Sequence, residues 1–292
     1  MLDQVDDKAL DRYVAQQKRL KEKEEVAEMS FIDHLEALRW HIVRSLIAIF
    51  VIAIVAFCFP QFIFGKVILG PSRIEFITFQ WLCQLSDWLD SEVLCIKDLH
   101  FTLQSRKMQG QFVMHLTSSF FVGLICSFPY VFWEIWRFLR PALYSNEKNA
   151  ARGTTLIVST LFFIGIFFGY FIVTPLSVNF LGNYTIDESI LNEFDIASYI
   201  STVTTLTLAC GLMFQLPVVI YFLSKVGLVT PQVMRTHRKH ALVVVLFLSA
   251  ILTPPDVISQ VLIAFPLMGL YELGIGVSSR VYKRLQKLEY GN

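Results

Sequence analysis

The chain has 292 residues, of which 54% are hydrophobic, 14% aromatic and only 17% charged, with a formal net charge of +1. This composition is too apolar for a soluble domain, whose surface must be largely polar, and it indicates an integral membrane protein. A net charge near zero offers no electrostatic field for nucleic acid, so we expect no nucleic-acid partner.

The N-terminal stretch 1–29 carries mixed charge, as in QQKRLKEKEEVAE, and lacks the apolar core and small-residue cleavage site of a signal peptide. We expect a charged cytoplasmic arm there. In the sequence SFID that follows, Ser30 and Asp33 have the spacing of a capping box. A helix is therefore predicted to begin at Ser30 and to lead into the first membrane span.

Four apolar runs are about 20 residues long, the length that crosses the bilayer core as a helix. They cover residues 40–59, 111–130, 156–173 and 199–222.

Two further apolar runs, 241–252 and 257–277, are separated by Pro254, Pro255 and Asp256. The first has only 12 residues and, as a helix, spans about 18 Å of a core of ~30 Å. We predict a hairpin in which the prolines end one helix and Asp256 caps the next. The hairpin should turn below the level of its neighbours and leave a concave site.

The distribution of Lys and Arg predicts the orientation of the chain. The loops 135–153 and 225–240 are rich in these residues, as are the N-terminal region and the tail, whereas the acidic loop 174–198 contains none. Because short cationic loops stay in the cytoplasm, both termini are placed inside and six spans follow.

The predicted fold class is all-α, an integral membrane protein with six transmembrane helices that form a concave cup, the last two helices being short. The predicted divisions are the arm 1–29, the membrane domain 30–277 with an external loop at about 60–110, and a basic cytoplasmic tail at 278–292.

Polar side chains inside predicted spans are costly and are therefore functional candidates. Glu134 is either an interfacial residue among aromatic neighbours or a functional one. Glu272 is either a structural hydrogen-bonding residue or a ligand contact. Gln215, two residues before Pro217, either links two helices or has a direct role. Gln260 shares a helix face with Asp256 and could line the concavity.

A charged cluster is predicted at the cytoplasmic surface. A solvated helix end is the ordinary interpretation of such a cluster, and a binding site is the alternative. Its members are Asp33, His34, Glu36, Arg39 and, in a second loop, Glu147.

Catalytic motifs are missing from the sequence. It contains no G-x-S-x-G, no HExxH and no P-loop, and the stretch HRKH at 237–240 lacks partner ligands at metal spacing. We therefore expect neither an enzyme nor a cofactor or metal. Cys83 and Cys95 lie in the predicted external segment, where a disulfide is permitted.

Several stretches together resemble the TatC family, the multispanning receptor subunit of the twin-arginine protein translocase. They follow the order of the family and cover most of the chain from residue 30 to 277. They are FIDHLEALRWHI (31–42), FPYVFWEIWRFLRPALYSNEK (128–148), GYFIVTPLSVNFL (169–181), DIASYIS (195–201), FQLPVVIY (214–221) and LTPPDVISQVLIAFPLMGLYELG (252–274).

This resemblance implies a cup-shaped receptor of the bacterial cytoplasmic membrane that binds twin-arginine signal peptides of folded proteins. It implies transport on the proton-motive force, with single-span TatA/TatB-type subunits and further copies of the chain as partners. The positions that match the signal-peptide site are Glu147 and the HLEALR region with His34, Glu36 and Arg39. The matching stretches also contain the structural prolines Pro141, Pro175, Pro217, Pro254 and Pro255.

The chain departs from the family pattern His-Leu-x-Glu-Leu-Arg, because Ala37 stands at the Glu position and the carboxylate lies one residue earlier, at Glu36. Gln215 stands where the family often has Glu, and the segment 76–109 resembles the family poorly. The competing hypothesis is a small-solute or proton-coupled transporter with a midplane site at Glu272, Gln215 and Gln260. An intramembrane protease is disfavoured because Asp256 has no second aspartate as a partner.

Overall fold

The computed structural model describes residues 31–88, 95–96, 98–99, 101–143, 150–187, 189, 191–252 and 257–289. These residues are mostly helical. The first helices are α1 (Phe31–Phe57), α2 (Ile77–Trp88), α3 (Gly110–Leu143), α4 (Ala150–Phe168) and α5 (Thr174–Asn183). They are followed by α6 (Ile196–Met213), α7 (Leu216–Lys225), α8 (Pro231–Thr236), α9 (Arg238–Leu252) and α10 (Val257–Glu289). The end of the bundle where α1, α4 and α9 begin is called the inner end, and the opposite end the outer end.

Four helical segments are long and apolar enough to cross a membrane: Glu36–Phe57, Gly110–Phe138, Gly153–Asn183 and Ile196–Lys225. They contain most of each of the four long apolar runs of the sequence. The third continues through a π-helical turn, Gly169–Val173, into α5, and the fourth joins α6 to α7. The chain is therefore a multi-pass membrane protein.

The last two helices differ in length. Helix α9 has 15 residues and is short, as predicted, but α10 has 33 residues. The prediction that both are short is therefore wrong for α10, which also includes most of the basic stretch 278–292. The reason is that residues 278–289 contain no Pro or Gly and are rich in Arg, Lys, Leu and Gln, all good helix formers.

Glycines allow the membrane helices to approach closely. Helix α1 packs on α3, and α4 packs on α6. A Cβ atom on Gly123 would lie 2.8 Å from the carbonyl oxygen of Ile49, and one on Gly165 would lie 2.7 Å from that of Cys210. Gly165 of α4 and Gly169, the first residue of the π-helical turn, form a GxxxG pair that faces α6, an arrangement that brings two backbones together in lipid.

The hairpin of α9 and α10 packs on the other membrane helices. Val245 of α9, Ile263 of α10 and Leu206 of α6 belong to one core cluster. The predicted turn residues Pro254, Pro255 and Asp256 lie outside the described part of the chain.

Two side-chain hydrogen bonds attach the outer segment to the bundle. The carbonyl of Val67, in the π-helical segment Ile63–Ile68, accepts a hydrogen bond from the Tyr170 hydroxyl at 2.6 Å. A proline has no N–H, so the carbonyl four residues earlier loses its helical donor. Pro175 in this way releases the carbonyl of Phe171, which accepts a hydrogen bond from the Thr78 hydroxyl. Both bonds join the segment before α3 to the third membrane helix.

Two short strands complete the outer end. Strands β1 (Thr102–Gln104) and β2 (Glu193–Asp195) pair in parallel, with Leu103 opposite Phe194. The all-α prediction misses this pair because the strands have three residues each and lie about 90 residues apart, so no local pattern marks them. Asp195 then caps α6 by accepting a hydrogen bond from the Ala197 N–H at 2.8 Å. Nearby in sequence, Cys83 of α2 and Cys95 form a disulfide.

Candidate functional site

The first turns of α1 contain four of the five residues of the predicted charged cluster. Glu36 and Arg39 are exposed, and Ala37 between them is half-buried. Within the described residues no side chain forms an ion pair with Glu36. His34 lies in the same helix, but its side chain falls outside the described part of the structure, as does the whole of Glu147. One exposed carboxylate and one exposed guanidinium are therefore located at the inner end of α1.

A buried acid–imidazole pair lies one turn further along α1. The carboxylate of Glu134 on α3 is 2.5 Å from Nδ1 of His41, and Glu134 is only 1% exposed. His41 follows Ala37 by four residues, so the two share a face of α1. For Glu134 the sequence leaves open an interfacial position among aromatic residues or a functional role. Its neighbour Trp133 is indeed exposed, but the Glu134 side chain itself points into the α1–α3 contact.

His41 is the functional candidate that the sequence analysis missed. The stretch LRWHIVR gives no signal that one of its residues faces a carboxylate 93 positions away. The aromatic surroundings of Glu134 are visible in the stretch FWEIWRF at 132–138. In the structure Arg137 lies over the Trp133 ring, 5.7 Å from its centroid. The sequence hints at their pairing only in that each is a polar residue within a largely apolar helix.

Gln215 lies at the break between α6 and α7, where Pro217 stands in the first turn of α7. Its amide nitrogen donates a hydrogen bond to the carbonyl of Val158 on α4 at 3.2 Å. Its amide oxygen is buried and has no hydrogen-bond partner within the described residues. Gln215 thus links two helices, and it retains one acceptor for a further donor.

Gln260 and Glu272 make separate contacts in the α9–α10 hairpin. The amide of Gln260 donates to the carbonyl of Leu246 at 3.0 Å. Glu272 pairs with Arg238 at 2.7 Å, and both side chains are more than 40% exposed. Glu272 also lines an apolar groove of about 640 Å³ between α4, α7 and α10, which has Arg280 at its inner end.

The midplane site of the transporter hypothesis is therefore not assembled. Gln215 bonds to α4, Gln260 bonds to α9, and Glu272 is held in an exposed ion pair. The groove that contains Glu272 is not lined by either glutamine. Among the described side chains, no group of three or more His, Cys, Asp or Glu residues could hold a metal ion.

Two structural prolines open helices and one lies outside the described side chains. Pro175 stands in the first turn of α5 and Pro217 in the first turn of α7. The fixed φ of proline suits the first turn of a helix. At Pro175 the preceding π-helical turn runs directly into α5, so the missing N–H leaves the Phe171 carbonyl to the Thr78 hydroxyl. Pro141 lies in the last turn of α3, but its side chain is not described.

Comparison with known proteins gives one consistent result. The family model of TatC, the Sec-independent protein translocase protein, matches residues 33–266. A protein of that name from Blattabacterium is 34% identical over 90% of this chain and 99% of its own length. The protein of that name from Aquifex aeolicus is 32% identical over 89% of this chain and 100% of its own length.

A solved structure agrees with these sequence matches. The crystal structure of the twin-arginine translocase receptor TatC in the detergent DDM has a TM-score of 0.65 and 31% identity to this chain. The match covers 84% of this chain and 99% of the crystallised one. The resemblance carried by the sequence motifs is confirmed, and this chain belongs to the TatC family of Sec-independent protein translocase proteins.

Proposed function

We propose that this chain is the receptor subunit of a twin-arginine translocase in a bacterial cytoplasmic membrane. The observation that carries the proposal is its similarity, over nearly the full length of the other protein, to a solved twin-arginine translocase receptor. The chain would bind twin-arginine signal peptides and organise single-span TatA/TatB-type subunits and further copies of itself. Folded substrates would then cross the membrane on the proton-motive force.

The peptide site is assigned to the inner end of α1 and to Glu147. Two adjacent arginines require carboxylates, because a guanidinium binds a carboxylate through two parallel hydrogen bonds. Glu36 is exposed and without an ion pair within the described residues, so its carboxylate is available to a peptide. Glu147 occupies the position that matches the second acidic contact of the family. Arg39 and His34 flank this site.

Glu134 is assigned a positioning role. Its carboxylate reaches the face of α1 that Ala37 and His41 share. It is buried, however, and bonded to His41. A peptide arginine would have to displace His41 to reach it. We therefore assign the pair to fixing α1 on α3, which holds the start of α1 in place for the peptide.

Both termini are placed in the cytoplasm and α9 and α10 are counted as the fifth and sixth spans. The support is the distribution of Lys and Arg, which favours the cytoplasm for the inner end. A further support is that α9 ends early, so its hairpin with α10 can lie in a locally thinned bilayer.

Single-span partners are proposed to dock beside this hairpin. Helix α9 exposes Val243, Phe247 and Ile251, which are four residues apart and share one face. Beside α9, Gln260 of α10 joins the two helices, and Glu272 is an acidic residue further along α10. Asp256, the second acidic candidate, precedes α10 and lies outside the described residues. An exposed apolar face of this kind can pack against a single apolar helix in lipid.

Photo-cross-linking tests the assignment of the peptide site. A photoreactive residue is placed at position 36, 37 or 147, and the full-length protein in membranes is given a signal peptide with Arg-Arg or with Lys-Lys. We expect cross-links from all three positions to the Arg-Arg peptide and much weaker ones to Lys-Lys. Equal labelling of both peptides, or none from position 147, would remove the site from this end of the bundle.

A further inference from the structure

We propose that α2 (Ile77–Trp88) lies at the outer water–membrane boundary, with one face inserted among the lipids of the outer leaflet. This inference goes beyond the receptor function, and it concerns a segment that resembles the family poorly. It depends on how the side chains of α2 divide into three faces around the helix axis.

The first face packs on the protein. Phe79 is 1% exposed and Ser86 is buried. The Thr78 hydroxyl donates a hydrogen bond to the carbonyl of Phe171, and Cys83 is tied to Cys95 by the disulfide. Just before α2, the Phe76 ring stacks on that of Phe171 with centroids 5.7 Å apart. These contacts fix the rotation of α2 about its own axis.

The second face is polar. Gln80, Gln84 and Asp87 are all exposed, and they lie within an arc of about 60° when successive residues are about 100° apart. Gln80 also donates from its side-chain amide to the carbonyl of Glu75 at 3.0 Å. This face suits contact with water.

The third face is apolar and exposed. Ile77 is 43% exposed, Trp81 66%, Leu85 44% and Trp88 81%. The spacing of four, four and three residues places them within an arc of about 80° on one side of the helix. Polar Gln84 borders this arc on one side and the protein-packing face borders it on the other.

The depth of α2 matches the edge of the bilayer. Its anchor, Phe171, lies near the end of the apolar run 156–173, where the third span is expected to leave the lipid. One turn deeper, Phe167 is 57% exposed on the lipid-facing side of α4, and its ring lies 6.2 Å from that of Phe171. The start of α2 therefore lies beside the surface that α4 presents to lipid.

Lipid is the occupant that the chemistry favours. A helix with one polar and one apolar face, rich in tryptophan, is typical of the membrane interface, where the indole ring keeps its N–H near the headgroups. Two of the five tryptophans of the chain, Trp81 and Trp88, stand on this one face. Held by the disulfide and by Thr78, the helix would fix the depth at which the outer end sits in the bilayer.

Fluorescence quenching by brominated lipids tests the proposal. Wild-type protein and the double variant W81F/W88F are placed in phosphatidylcholine vesicles that carry bromine either near the headgroups or near the chain ends. The difference between the two proteins isolates Trp81 and Trp88. We expect their quenching by shallow bromine to exceed that by deep bromine about twofold, since an interfacial helix lies about 5–10 Å into the leaflet.

A matched control uses the polar face. The variant W81F/W88F/D87W moves the tryptophan to the exposed polar-face position farthest from the apolar arc, where shallow bromine should not quench it and aqueous acrylamide should. The proposal is overturned if Trp81 and Trp88 are quenched by acrylamide and not by bromine, which would mean a face in water. It is also overturned if both quenchers fail and dilution of the protein in lipid exposes the rings, which would mean contact with a second copy. Neither readout depends on capture of a signal peptide.

Discussion

His41 on α1 and Glu134 on α3 join two membrane helices through a contact of 2.5 Å between an imidazole nitrogen and a carboxylate oxygen. The side chain of Glu134 is 2% exposed and that of His41 17% exposed, so this polar contact is shielded from water. A buried polar pair is costly to break from one side, because the remaining partner loses its hydrogen bond.

The first prediction concerns this pair. Replacing His41 by Ala leaves buried Glu134 with Tyr130 as its remaining hydrogen-bond partner, and we expect the free energy of unfolding to fall by about 1–3 kcal/mol. The double variant H41L/E134L removes both polar groups and should recover part of this loss. Thermal unfolding in detergent measures both. A double variant as unstable as H41A would mean that the pair does not act as a unit.

The second prediction concerns the carbonyl released by Pro175. Thr78→Val keeps the shape of the side chain and removes the donor to Phe171, so we expect a loss of about 1–3 kcal/mol in stability. Thr117→Val is the control, because the Thr117 hydroxyl bonds only to the carbonyl of Val113 within its own helix. Limited proteolysis in vesicles should cut the outer segment faster in T78V than in T117V, and equal rates would contradict the bond's role.

The third prediction concerns the glycine contact between α4 and α6. A Cβ atom at position 165 would lie 2.7 Å from the Cys210 carbonyl oxygen, so Gly165→Ala should destabilise by about 1–3 kcal/mol. A Cβ atom added at Gly269 would meet no atom within 4 Å apart from the backbone of its own helix. Gly269→Ala should therefore be neutral or should stabilise α10 by about 0.5–1 kcal/mol. Melting temperatures in one detergent compare the two. A G165A protein as stable as G269A would show that the helices can separate without cost.

The fourth prediction concerns the acidic peptide site. Glu147→Ala and Glu147→Lys should weaken cross-linking of a twin-arginine peptide, with Lys the more severe because it adds repulsion to the loss of the ion pair. Ala37→Glu supplies a carboxylate where the family pattern has one, and we expect it to strengthen capture. Unchanged capture in both Glu147 variants would count against the assigned site.

The fifth prediction concerns topology. In a variant whose free cysteines are replaced by serine, a cysteine at the exposed position 283 near the end of α10 should react with an impermeant maleimide only from the cytoplasmic side. A cysteine at position 184, between α5 and β2, should react only from outside. Labelling of both from the same side would remove one span from the count of six.

The break before α7 and the stability of the outer segment were predictable to different degrees. Pro217 indicates that α6 ends before it, because proline interrupts the hydrogen bonds of a helix. Pro175 likewise indicates that the carbonyl of Phe171 loses its donor. The sequence does not say, however, that Thr78 bonds to this carbonyl or that Tyr170 bonds to that of Val67, since each donor comes from a residue about 90 or more positions away.

The sequence alone determined the membrane class, the four long spans, the short α9 and the family, because each follows from the length of an apolar run or from a set of motifs. Only the tertiary structure decided that His41 faces Glu134, that Gln215 and Gln260 bond to different helices, and that one side of α2 is left exposed. The physical reason is that in a membrane helix the side facing lipid and the side facing protein are both apolar. Periodicity therefore marks the spans but does not reveal which of their faces meet.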